Sequence, residues 1–135
     1  MDIEKGASRM IDMQYINDLE AEMDVMKLVD NYYEIKSILQ QYPQEQWSYE
    51  MILAYARALN YLQDYSDQTN PFEQAYRLLQ TVSDKGITDA EWHLIMASVS
   101  FNLQLYAGAV KHAEQANTII AGCADDMLEL YSQYD

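Results

Sequence analysis

The stretch LYAGAVKHAEQAN, residues 105–117, decides the fold. Ala109, Ala113 and Ala116 recur at i, i+4 and i+7, the spacing that places side chains on one face of an α-helix. A face of alanine buries little apolar area, so it contributes less by burial than leucine would. What it permits is close approach of a neighbouring helix. Tyr106, three residues ahead of Ala109, supplies the bulk that wedges against the helix before it. The stretch reads as one arm of a tightly packed helical hairpin.

The rest of the sequence is written in the same way. Its 135 residues suffice for one domain with one core. Four Gly and two Pro leave few turns and long elements. Val, Ile and Thr never alternate with polar residues over the length of a strand. Twelve Tyr and eight Met suit the irregular gaps between packed helices. In TNPFE, Asn70 is placed as N-cap, Pro71 at the first helical position and Glu73 at the third, a capping box. ITDAE repeats the device with Thr88 and Glu91, Gly86 is the stop for the helix before it, and Pro43 ends another. These marks predict helices over about 10–29, 32–42, 46–62, 71–84, 89–103, 106–119 and 122–133.

The helices pair, and the pairs repeat. NYYEIKSILQQYP, NPFEQAYRLLQTV and LYAGAVKHAEQAN align: Tyr32, Phe72 and Tyr106 lead, followed by Ile35, Ala75 and Ala109. Then come Leu39, Leu79 and Ala113, and last Tyr42, Val82 and Ala116. ILAYA at 52–56 likewise aligns with IMASV at 95–99. Phe72 and Tyr106 are 34 residues apart, Tyr32 and Phe72 are 40, and the excess sits in the turn-forming LQDYSDQTNP. A period of 34 with an aromatic and then Ala three later is the tetratricopeptide spacing.

The sequence thus resembles a tetratricopeptide-repeat protein. It resembles in particular a bacterial group with D-Y-E, A-R-A-Y-N-N and D-x-x-W-H stretches. These appear here as Tyr49-Glu50, Ala56-Arg57-Ala58-Leu59-Asn60 and Asp89-x-x-Trp92-His93, within a resemblance covering about residues 30–120. Ser100 stands where the repeat carries an aromatic, and Glu22 where it expects a large apolar residue, so the first repeat is degenerate and acts as a cap. The resemblance implies an all-α, right-handed α-solenoid of about three hairpins, at about 10–43, 46–84 and 89–119. A C-terminal helix over about 122–133 would close it, with Met127, Leu128, Leu130 and Tyr131 capping the last repeat. It also implies a concave groove for a protein or peptide segment. Met51, Tyr55, Leu94, Ser98, Phe101 and Asn102 would line that groove, with Tyr55 and Phe101 as anchors. The set contains no Lys or Arg, so a basic clamp on a C-terminal carboxylate is not expected there. Some members of the group lie beside toxin–immunity genes. That implies the alternative of an immunity-type protein that covers a basic toxin with an acidic surface.

Charge narrows the partners. Asp and Glu number 22 against 8 Lys and Arg, a formal net charge of −14. Such a field repels phosphate backbones and anionic lipids, so neither nucleic acid nor membrane is expected as partner, whereas a basic protein is compatible. Asp18, Glu20, Glu22 and Asp24 in NDLEAEMD read as a solvated helix face or a platform for such a partner. Apolar runs such as MILAYA are too short to span a bilayer, and MDIEKGASRM lacks the make-up of a secretory signal. The expectation is a cytoplasmic protein, monomer or homodimer.

No active site is expected, and no metal or cofactor. Cys123 is the only cysteine, which excludes an internal disulfide, and reads as a buried structural thiol. It lies eleven residues after His112, with Gly122 expected to break the helix between them. His93 is expected to hydrogen-bond a backbone group or a tyrosine hydroxyl in the core. Two histidines without a carboxylate cluster beyond Asp89 and Glu91 do not make a metal site. DYSDQTN alternates oxygen ligands but lacks the glycine and glutamate of a calcium loop. No glycine-rich phosphate cradle or nucleophile elbow occurs. Trp47 and Trp92 each lead a helix and are expected to pack between helices. The function expected is a non-enzymatic interaction module.

Overall fold

Polar residues at the helix starts set most of the boundaries. The computed structural model describes residues 12–65 and 69–132, with 124–132 as helical backbone only. Within these residues every element is helical: α1 (Met13–Glu20), α2 (Val25–Gln40), α3 (Tyr49–Leu62), α4 (Pro71–Gln80), α5 (Ser83–Gly86), α6 (Ala90–Asn102) and α7 (Tyr106–Ser132). A single 3-10 turn, Gln44–Gln46, follows Pro43. The all-α class read from the sequence holds.

Each of the caps satisfies amides that the first helical turn leaves without partners. Asp12 accepts from the amides of Gln14 and Tyr15, and Asp24 from that of Met26. Asn70 accepts from Phe72 and Glu73, and Asp89 from Glu91. Ser48 Oγ accepts from Met51 N at 3.3 Å while Ser48 N donates to Met51 Sδ at 3.4 Å, so a thioether closes the reciprocal cap. α3 and α6 end differently, at glutamines in the left-handed region: Gln63 (φ 52°) and Gln104 (φ 64°). After α6, Leu105 N donates to Ser100 O at 2.8 Å and Gln104 N to Phe101 O at 2.9 Å. That is a Schellman closure with glutamine in the usual place of glycine.

Several boundaries differ from expectation. The helix read over 10–29 is broken at residues 21–24, because Asp24 caps a new helix and Glu22 accepts the Asp24 amide; residues 10 and 11 lie outside those described. α2 accordingly begins at Val25 rather than at 32. The helix over 71–84 stops at Gln80, and Gly86 ends the separate turn α5. Thr88 is not a cap; its hydroxyl donates to Lys85 O and Asp89 takes the capping role. The two helices expected at 106–119 and 122–133 are one, running through Gly122. Glycine inside a helix costs only about 0.5–1 kcal/mol relative to alanine, too little to end a long one. The side chains of Met127, Leu128, Leu130 and Tyr131, and residues 66–68 of DYSDQTN, lie outside the described residues.

The chain divides within α4 into two compact units, Met1–Ala75 and Tyr76–Asp135. The core of the first is built on Ile16, Tyr32, Ile35, Leu39, Leu53, Tyr55 and Leu59. Glu20, at the end of α1, ties it together: its carboxylate accepts Arg57 Nε at 2.5 Å and Nη2 at 2.8 Å from α3, and the Tyr32 hydroxyl at 3.2 Å from α2. Burial, then the charge of Glu20, push the Tyr32 phenol well above its usual range. The second unit packs α6 against α7 around Trp92, Ile95, Met96, Val99, Ala109 and Ala116.

Leu39 and Leu79, aligned in the sequence, share one hydrogen-bond pattern, one in each unit. α2 closes with Gln41 N to Ile38 O and Tyr42 N to Leu39 O; α4 closes with Thr81 N to Leu78 O and Val82 N to Leu79 O. In each case a tryptophan from further along the sequence reaches back to the same carbonyl. Trp47 Nε1 donates to Leu39 O at 3.1 Å, and Trp92 Nε1 to Leu79 O at 2.9 Å. Both indoles pack between helices, as expected, and each helps satisfy a carbonyl that the end of the helix leaves without an intrahelical partner.

Candidate functional site

A cavity in the second unit brings together polar side chains from α5, α6 and α7. α5 is a single turn, and its Gly86 lies under the Trp92 indole so closely that a Cβ there would overlap ring atoms Cγ, Cδ2 and Cε2. This contact seats Trp92 (5% exposed) and with it His93 (3% exposed) at the start of α6. α7 runs alongside and brings His112 to both rings, with ring centroids 5.5 Å from Trp92 and 5.2 Å from His93. The cavity, of about 550 Å³, is lined by Ser83, Asp84 and Ile87, by Trp92 and His93, and by Lys111, His112 and Gln115.

The two histidines touch through Nδ1 and Nδ1 at 3.0 Å, and His93 Nε2 lies 2.9 Å from Ile87 O. A carbonyl only accepts, so His93 carries its proton on Nε2. Its bare Nδ1 then accepts, and His112 donates from Nδ1. His112 Nε2 is left with a lone pair. Burial first, then His93 and Lys111, lower the pKa of His112 from 6.5, so this ring is neutral at pH 7. His93 thus meets a backbone carbonyl, as read from the sequence. Its contact with His112 is new: His93 lies nine residues before Asn102 and His112 eight after Gln104. Folding an antiparallel hairpin at that turn sets them opposite one another.

The residues expected to line a groove are placed unequally. On α6, Leu94 (48% exposed), Ser98 and Phe101 (61% exposed) form an exposed stripe at i, i+4 and i+7, with half-buried Asn102 at its end. Phe101 meets Tyr106 edge-on at 5.5 Å. In the first unit Met51 is half-buried in its capping contact, and Tyr55 is only 4% exposed. Tyr55 packs on Trp47 at 4.8 Å and its hydroxyl accepts from Gln40, so its ring is core and not a free anchor.

The four acidic residues do not share a helix face. Asp18 and Glu20 lie on α1, Glu22 and Asp24 in the break after it. Asp18 accepts from Gln14, Glu20 holds Arg57 and Tyr32, Glu22 holds the Asp24 amide, and Asp24 caps α2. Cys123 is exposed, not buried, three turns beyond His112 on the unbroken α7. Among the described residues no group of three His, Cys, Asp or Glu side chains is placed to hold a metal. None of the helices described is long and apolar enough to cross a membrane.

Comparison with protein-family models, with curated proteins and with solved structures finds no match. The functional reading therefore rests on the geometry of the site itself.

Proposed function

We propose that the protein is a non-enzymatic interaction module of the tetratricopeptide kind, acting in the cytoplasm, whose hairpins continue as a right-handed α-solenoid and hold a protein or peptide segment. The observation that carries this reading is the recurrence of the tryptophan-to-carbonyl bond at Leu39 and Leu79. The use of the same aligned carbonyl in both places supports successive, similarly closed hairpins. The stripe Leu94, Ser98 and Phe101 supports an apolar contact face on α6, with Phe101 and Leu94 as anchors. The acidic residues, each occupied within the fold, then act through the field of the whole molecule and steer a basic partner.

The test is affinity capture by three purified proteins: the wild type, Leu94→Ser/Phe101→Ser, and Asp18→Asn/Glu22→Gln. The last pair leaves the Asp24 cap and the Glu20–Arg57 pair in place. A partner held by the wild type and the acidic variant, and lost by the α6 variant, is the expected result. Loss with the acidic variant alone would move the immunity-type reading, with a basic toxin as partner, ahead.

A further inference from the structure

The cavity of the second unit carries chemistry that an interaction surface does not use. Lys111 is an exposed ammonium on its wall. Gln115 and Ser83 add neutral donors, and Trp92 and Ile87 add apolar surface. Of the titratable groups facing His112, Asp84 comes from α5, His93 from α6 and Lys111 from α7 itself. Among the described residues lining the cavity Asp84 is the one carboxylate, and it offsets one of the two positive charges that Lys111 and a protonated His112 supply, so one added carboxylate balances the lining.

His112 makes the cavity responsive. Its Nδ1–H is committed to His93 and its Nε2 has a free lone pair. A proton added at Nε2 turns that nitrogen into a cationic donor without breaking the bond to His93. The pair can therefore pass from neutral to singly charged with its geometry intact. A second proton, on His93 Nδ1, would break it.

We propose that this cavity binds a monocarboxylate carrying an aromatic or branched apolar group, as a free acid or as the C-terminal residue of a peptide, and that binding draws one proton onto His112. The carboxylate sits between Lys111 and protonated His112, and the apolar group lies against Trp92 and Ile87. The volume is within the ~300–1,000 Å³ typical of small-molecule sites. Burial, then His93 and Lys111, favour the neutral His112 ring, and an anion beside it favours the charged ring and opposes that bias.

The experiment titrates the intact protein with N-acetylphenylalanine, with its primary amide, and with a short peptide ending in phenylalanine. Trp92 indole and His112 ring resonances report binding, and calorimetry in two buffers of different ionisation heat counts protons. The acid is expected to bind about tenfold or more tightly than the amide, the worth of one charge-assisted contact. Its affinity should fall from about pH 6 to about pH 8, as imidazole protonation becomes harder. Lys111→Met should cost about tenfold in affinity. His112→Asn, whose amide can still donate to His93, should abolish the proton uptake. Tighter binding of the peptide, or of the free acid, supports the site and names its source. Equal binding of acid and amide, binding without proton uptake, or unmoved Trp92 and His112 signals at millimolar ligand would overturn the proposal.

Discussion

Gly86 and His112 show how single atoms set this structure. Gly86 is required by space, because the indole of Trp92 occupies the position a Cβ would take. Gly86→Ala should displace Trp92, weaken its bond to Leu79 O and cost about 2–3 kcal/mol, read as a lower denaturation midpoint with an unchanged slope. An unaltered midpoint would mean that the indole does not rest there. For His112 the sign follows from its lowered pKa. Between that value and 6.5 the unfolded protein binds more protons than the folded one, so this residue contributes stability that is lost as pH falls through that window. Denaturant midpoints from about pH 7.5 to about pH 5.5 should therefore fall less steeply for His112→Asn than for the wild type. Parallel profiles would remove His112 from the account. The histidine pair is not legible in the sequence. Nineteen residues separate its members, and only the register of the hairpin, set by the Schellman closure at Gln104, brings them together.

Among the elements, α7 carries the sharpest contrast between its small residues. Ala109 and Ala116 are buried on it, at 9% and 0% exposure, whereas a Cβ at Gly108 or Gly122 would meet, among the described residues, nothing within 4 Å beyond its chain neighbours and its own helix backbone. Two substitutions on one helix should thus move stability in opposite directions. Ala116→Leu should destabilise by ~1–3 kcal/mol through overpacking. Gly122→Ala should stabilise by ~0.5–1 kcal/mol, because a continuous helix gains from alanine there. Thermal or chemical denaturation of the two variants decides it; a destabilised Gly122→Ala would contradict an unbroken α7. The alanine face is readable because helical periodicity alone defines it, and so is the cap at Asn70 because Pro71 follows it. The break at residues 21–24 is not, since it contains neither Gly nor Pro and depends on Asp24 capping a helix whose start is otherwise unmarked. Gly122 misleads because a glycine stop and a glycine within a helix look alike when the neighbours, Ala121 and Cys123, fit either. The resemblance puts Tyr55 in a groove, yet Trp47 covers it, a contact made by a residue ahead of the helix rather than on it.

On the scale of the whole molecule, the proposed function gives two properties separate tasks in binding. The net charge of −14 acts over distance and would govern how often a basic partner arrives. The α6 stripe acts only on contact and would govern how long the partner stays. The charge balance can be read from composition, and Leu94 and Phe101 from the repeat alignment. Their exposure cannot, because α6 is buried on its other sides by Trp92, Ile95, Met96 and Val99 and reads as uniformly apolar. The most direct test is the kinetics of a captured partner on immobilised wild type and Phe101→Ser, by surface plasmon resonance at two salt concentrations. The off-rate of the variant should rise roughly thirtyfold, about 2 kcal/mol, with an on-rate that falls with salt equally for both proteins. An unchanged off-rate, with all loss of affinity appearing in a salt-dependent on-rate, would contradict it.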